Sequence, residues 1–173
     1  MEYTFKDRPT SERILKAMKN RSEIDPSLVL TFLNLQWTYR DLEKEYGRLL
    51  EKYRLSESSF IVMMLLFHSD NEPLSPSLVA EKLGSTRATA SKLIKRMEKD
   101  HLVLKIASEK DKRSASVQLS TEGRQVLEAF LPYNFLLVEK IFSSFSADEL
   151  NVLNTLLHKL SDGTKKLKME EII

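Results

Sequence analysis

The sequence has no cysteine. That excludes a disulfide framework, a thiolate zinc site and a cysteine redox switch, and it fits a reducing, cytoplasmic setting. Glycine and proline are sparse, at 4 and 5 of 173 residues, and tryptophan occurs once. Little material is left for tight turns or low-complexity linkers, so long helices are expected. The longest apolar run, Phe60 to Phe67, is far shorter than the ~20 residues that cross a bilayer. The first residues, Met1-Glu-Tyr-Thr-Phe-Lys-Asp-Arg8, lack the apolar stretch of a signal peptide. One soluble, compact unit with extensions and no membrane contact is expected.

Chemistry-bearing groups are scarce too. His68, His101 and His158 lie far apart and have no partner at metal-ligand spacing. No Ser/His/Asp order or glycine-rich phosphate loop is present. Glu43 and Glu45 sit among basic residues, as on a solvated helix face, rather than as an acid/base pair. No catalytic residue, metal or cofactor is expected.

What is present is uneven charge. The net charge is only +2, yet Lys82 to Arg113 carries ten basic against four acidic residues, a segment of +6 that leaves −4 for the rest. Such concentration points to a polyanionic partner.

The apolar pattern organises the chain. A short helix is expected over residues 11–20. A longer one starts at Asp25-Pro26, an N-cap followed by proline at the first helical position. Along it Leu28, Leu35, Leu42 and Leu49 recur every seven residues, with Phe32, Tyr39, Tyr46 and Tyr53 four places behind. Extended to Arg54, that helix is roughly 44 Å long, more than a small domain needs for its own core, so a partner surface is expected. Ser56 caps the helix carrying Phe60 to Phe67, whose apolar girth predicts central burial. Ser75-Pro76 repeats the cap-plus-proline signal, with Leu74 and Val79 as a hydrophobic staple. A short helix follows to Leu83, with Gly84 suited to its C′ position, and Ser85 or Thr86 caps a second helix to about Asp100. The period then changes to alternation, with Leu102, Leu104 and Ile106 on one strand and Ala115, Val117 and Leu119 on another. Between them lies the charged loop Ser108-Glu-Lys-Asp-Lys-Arg113. Ser120 caps a helix from Thr121 to about Ser144, which Pro132 should kink or break. Ser146-Ala-Asp-Glu149 matches a capping box and opens a last helix with Leu150, Leu153, Leu157 and Leu160 on one side.

A short helix, a glycine turn, a second helix and a hairpin with a basic tip form a winged helix-turn-helix pattern, mainly α with a small β-hairpin wing (α+β). On the second helix Ala90, Leu93, Ile94 and Met97 fall together as the inward face. Ala88, Ser91, Lys92, Lys95 and Lys99 face outward, Thr89 and Arg96 flank them, and Arg87 can reach past the helix end. Hydroxyls, a methyl-sized side chain and long cations are the materials for reading base edges and holding phosphates in a major groove. The candidate DNA-binding set is Ser85, Thr86, Arg87, Ala88, Thr89, Ser91, Lys92, Lys95 and Arg96 from the helix, with Lys110, Asp111, Lys112 and Arg113 from the wing. Trp37, Tyr39 and Phe67 are candidate liners of an effector pocket, although their helical spacing also suits core packing.

The stretch from Ser85 to Met97, and Asp111-Lys-Arg113 leading to Val117-Gln-Leu-Ser-Thr-Glu-Gly123, resemble the multiple antibiotic resistance regulator (MarR) family of bacterial transcription factors. The resemblance covers about Ser56 to Gly123 in motif terms, and its flanking helices extend it to nearly the full chain. Within the family the sequence looks closest to multidrug-efflux repressors, from Ile14-Leu-Lys16 and the helix before Leu28. The resemblance implies that Arg113, in the family's D-x-R motif, enters the minor groove, that Asp111 braces the wing, and that the terminal helices dimerise. It also implies a small-molecule effector pocket between the dimer arms and the DNA-binding lobes. Two positions depart from the family pattern: His101 stands where glycine is usual, so it must tolerate a turn conformation, and Lys105 stands where arginine is common. The expected organisation is 1–54 for N-terminal dimerisation helices, 55–120 for the winged domain and 121–173 for C-terminal dimerisation helices. The functional expectation is a homodimeric repressor of a pseudo-palindromic duplex DNA operator. The rivals are a winged-helix protein-interaction module and a small helical enzyme.

Overall fold

The computed structural model describes residues 10–18, 25–69, 72–107 and 115–169. The elements run α1 (Ser11–Met18), α2 (Pro26–Lys52), α3 (Glu57–Phe67), α4 (Pro76–Lys82), α5 (Arg87–Lys99), β1 (Val103–Ala107), β2 (Ala115–Leu119), α6 (Thr121–Phe142) and α7 (Ala147–Met169). The fold is thus mainly helical with one antiparallel hairpin, as the sequence pattern predicts. The chain divides into two compact units, Met1–Glu128 and Ala129–Ile173.

Local chemistry sets most helix ends. Asp25 accepts from the Ser27 N–H at 2.9 Å, which also holds its carboxyl below the usual range. Ser56 and Ser59 form a reciprocal capping box at the start of α3. Ser75 caps α4 and Thr86, not Ser85, caps α5. Three helices close with the same turn, a C′ residue in the left-handed region and a bond from the following N–H back to the last helical turn. Gly84 (φ 60) does this for α4, Arg54 (φ 55) for α2 and His101 (φ 57) for α5. The closing bonds are Ser85 N–H to Ala80 O at 3.0 Å, Leu55 N–H to Leu50 O at 2.9 Å and Leu102 N–H to Met97 O at 2.8 Å. His101 therefore adopts the turn conformation that its position demands.

The core of the first unit gathers where α3, α4, α5 and the hairpin meet. Val62, Met63, Val79, Ala90, Ile94, Met97, Val103, Val117 and Leu127 are all fully buried there. Burial of α3 is one-sided at its start: Ile61 stays 39% exposed although the run around it is apolar throughout. α1 packs on α2. At the other end of α2, Tyr46 is half-buried, and burial with the nearby Glu57 carboxylate raises its phenol.

Two expectations need correction. The hairpin pairs Val103 with Leu119, Lys105 with Val117 and Ala107 with Ala115. The inward set on β1 therefore begins at Val103, fully buried, whereas Leu104 is 49% exposed and belongs with Ile106 to the other face. The cause is the turn at His101: Leu102 is bonded into it and is buried before the strand begins, so the alternation starts one residue late. The second correction is partial and concerns Pro132, expected to kink or break its helix: α6 runs unbroken through it. A proline removes one backbone bond and crowds the carbonyl four residues back. With a helical stretch on either side, α6 sustains that loss.

In the second unit, Ser146 and Glu149 make the expected capping box, with Ser146 N–H to Glu149 Oε2 at 2.8 Å and Glu149 N–H to Ser146 Oγ at 3.2 Å. The Ser146 N–H and hydroxyl, both donating to Glu149 Oε2, hold the Glu149 carboxyl below its ordinary range. Just before it, Phe142 and Phe145 meet edge to face.

Candidate nucleic-acid interface

The interface is built from α5 outward. Thr86 accepts from the Thr89 N–H at 3.2 Å and its hydroxyl lies 2.9 Å from that of Thr89, so two of the polar groups at the helix start are tied to each other. The half-buried Ser85 lies just before them. From this fixed start the helix turns Ala90, Ile94 and Met97 inward, each at most 1% exposed, and Leu93 is half-buried. Arg87, Ala88, Thr89, Ser91, Lys92, Lys95, Arg96 and Lys99 are all exposed. The wheel read from the sequence is therefore the wheel in the structure. Arg96 pairs with Asp100 at 3.8 Å. Arg87, Lys92, Lys95 and Lys99 have no ion-pair partner among the described residues; Lys92, Lys95 and Lys99 share the outward face of α5, and Arg87 stands at the start of the helix nearer its buried edge.

The wing residues Lys110, Asp111, Lys112 and Arg113 lie outside the described residues. The base of the wing is described, and it is fastened at three points. Leu74 forms an isolated bridge with Val117, exchanging both backbone bonds at 2.8–2.9 Å, and so adds a third short edge to the hairpin. The Ser120 hydroxyl donates to the His101 carbonyl and accepts from the Gly123 N–H at 2.8 Å, bridging the end of α5 to the start of α6. A Cβ on Gly123 would stand 2.0 Å from the Leu102 carbonyl oxygen, so only glycine permits this approach. Finally, Lys105 of β1 forms an ion pair with Glu98 of α5.

The sequence reading missed these fastenings. Leu74 was legible as a staple for α4, but its strand bond depends on a partner more than forty residues away. Gly123 stood in a recognised motif without its reason. Lys105 signalled itself as a charge at an otherwise apolar strand position.

Of the three effector candidates, Trp37 and Tyr39 do not share a helix face. Trp37 is half-buried and Tyr39 is 58% exposed, and two places apart on α2 their side chains diverge by about 200°. Phe67 ends α3 with the Arg124 guanidinium 5.4 Å above its ring. A shallow, open depression beside α5 is lined by residues that include Arg54, Ser56, Arg96 and Asp100. Among the described residues no helix is long and apolar enough to cross a membrane, and no group of acidic or histidine side chains could hold a metal.

Comparison with known proteins agrees with this geometry. Residues 44–130 match the family model described as transcriptional regulator SarA/Rot. The HTH-type transcriptional repressor YetL of Bacillus subtilis is 30% identical over 165 residues, covering 91% of this chain and 96% of the relative. The solved structure of the S. aureus MepR–DNA complex has a TM-score of 0.64 at 18% identity, covering 76% of this chain and 94% of MepR. The organohalide-sensing regulator RdhR, solved in its 2,4-dichlorophenol-bound form, has a TM-score of 0.69 at 20% identity and covers 95% of this chain and 90% of its own. With the helix-turn-helix, the hairpin and a nearly full-length relative all in agreement, the chain belongs to the MarR family of winged helix-turn-helix transcriptional regulators.

Proposed function

We propose that this protein acts in the cytoplasm as a homodimeric, non-enzymatic repressor that binds a pseudo-palindromic operator in double-stranded DNA. The observation that carries the reading is the exposed face of α5, where Ser91 and the unpaired Lys92, Lys95 and Lys99 stand in the most basic segment of the chain. α5 enters the major groove. Ser85, Thr86, Arg87, Ala88, Thr89, Ser91 and Lys92 lie towards the base edges, and Lys95 and Arg96 towards the phosphates. Lys110, Asp111, Lys112 and Arg113 carry the wing, with Arg113 in the minor groove.

Dimerisation is supported by apolar surface that one chain leaves uncovered. On α2, Leu28 and Phe32 are 62% and 56% exposed, and on α7, Leu156 and Leu157 are 54% and 45% exposed. The terminal helices, residues 1–54 and 121–173, serve as the dimerisation regions around the winged domain of 55–120. A small-molecule effector is supported by the ligand-bound form in which RdhR was solved, with Trp37, Tyr39 and Phe67 as candidate contacts.

A salt titration against duplex DNA tests the reading. Counterion release makes the logarithm of affinity fall linearly with the logarithm of salt concentration. The expected result is such a line, with a residual sequence preference at about 0.15 M salt. A protein-interaction module on the same fold would bind no duplex at that salt.

A further inference from the structure

We propose that the Glu98–Lys105 ion pair is a positioning device that sets the direction of the wing relative to α5, and thereby which flanking base pairs the wing reads. The inference rests on the DNA-binding reading above.

Lys105 occupies an unusual place. It pairs across the hairpin with Val117, which is fully buried, and shares its strand face with Val103, also fully buried. Beside these buried neighbours the Lys105 ammonium meets the carboxylate of Glu98, one residue from the end of α5. The pairs Arg48–Glu45, Arg96–Asp100 and Lys165–Asp162 each join residues three or four apart on one helix or its cap. Glu98–Lys105 instead joins the helix assigned to the major groove to the strand that leads into the wing, two residues before the end of β1.

Its exposure decides what such a pair can do. The two side chains are 38% and 39% exposed, and pairs so open to water add little to stability. What the pair fixes is an angle. β2 is held by the Leu74 bridge and Ser120, and β1 packs against α5; Glu98–Lys105 adds to that packing an ion pair between α5 and β1, a directional tie that apolar packing does not supply. The pair also offsets the Lys105 charge and the Glu98 carboxylate against each other.

The two single variants change net charge in opposite directions, which separates positioning from simple electrostatics. Glu98→Gln frees a cation and Lys105→Met frees an anion. If the pair only tunes charge, the first raises and the second lowers affinity for every duplex, and the preferred sequence stays the same. If it positions the wing, both lose the same discrimination at the outer positions of the bound sequence, by about tenfold, the scale of one groove contact, while the inner positions read by α5 keep theirs.

The experiment uses the full chain and its variants to select duplexes from a random library, with thermal melting to confirm the fold. Glu98→Gln and Lys105→Met are expected to melt close to the parent and to select motifs with degraded flanks. Lys105→Arg and the exchange Glu98→Lys with Lys105→Glu are expected to restore them. Unchanged flanks in both single variants, with uniform affinity changes of opposite sign, would overturn the proposal. A parent chain that selects no motif would instead sink the DNA-binding reading on which it rests.

Discussion

The winged region and the terminal helices use the same apolar residue types to opposite ends. Between α3 and β2, Met63, Leu66, Ile94, Met97 and Val117 are at most 2% exposed, and the backbone is latched by Ser120 and Gly123. Along α2, Leu28, Phe32 and Tyr39 keep more than half of their surface in water, as does Phe135 on α6. The first region satisfies itself. The second leaves apolar faces that a single chain does not cover, and burying them is worth roughly 25 cal/mol per Å². Rigid reader and unfinished flank fit a protein whose second copy completes it.

The comparison breaks most severely at Gly123. Gly123→Ala drives a methyl group into the Leu102 carbonyl, and should destabilise the winged region by about 3 kcal/mol or more, seen as a melting midpoint about 6–12 °C lower. A variant that melts with the parent would show that the latch is dispensable. Next comes the flank. Phe32→Glu with Leu35→Glu should weaken the dimer by about 2–4 kcal/mol, giving monomers at micromolar concentration in sedimentation velocity while circular dichroism of the fold persists. If the double variant stays dimeric, the exposed α2 face is not the one that a second copy covers.

Arg113→Ala sharpens the contrast from the reader's side. It should cost about 1–3 kcal/mol of operator binding, roughly ten- to a hundredfold, with dimer and melting midpoint unchanged, and Arg113→Lys should recover only part because ammonium is more strongly hydrated than guanidinium. Fluorescence anisotropy at fixed salt measures it. His101→Gly should act in the other direction. His101 holds φ 57, a conformation that costs a non-glycine residue about 1 kcal/mol, so the variant should melt a few degrees higher.

The smallest effect is at α7. Glu149 has its carboxyl depressed chiefly by the Ser146 N–H, so the ionised form is favoured in the folded state. That contribution is present above the unfolded carboxylate value of about 4.3 and is lost as pH falls through the lower folded value. Glu149→Gln should flatten this acid-range dependence of melting, and an unaltered pH profile would remove the Glu149 carboxylate from the account.

Much of this was legible because it is local. The cap at Ser56, the glycine turn at Gly84, the capping box at Ser146 and the inward set Ala90, Ile94 and Met97 each depend on spacing within a few residues. Leu104 was misplaced because the turn at His101 shifts the strand phase by one residue, and periodicity alone does not register a turn that absorbs Leu102. Pro132 does not end α6 because a breaker's local penalty is outweighed by the helix on both sides of it. The ties that hold the wing, Leu74 to Val117, Ser120 to His101 and Glu98 to Lys105, bring together residues that only the tertiary fold makes neighbours. Trp37, Tyr39 and Phe67 are legible as aromatic side chains, but aromatic character alone does not specify a cavity.

The central claim is that the outward face of α5 reads DNA sequence. Selecting bound duplexes from a random library with the parent, Lys92→Ala, Ser91→Ala and Lys99→Ala tests it most directly. The account predicts that the parent enriches an inverted repeat with half-sites about one helical turn apart. It predicts that Lys92→Ala and Ser91→Ala change the preferred bases within each half-site, and that Lys99→Ala weakens all sequences alike. A parent that enriches no motif, or a Lys92→Ala variant that loses affinity equally for every duplex, would contradict it.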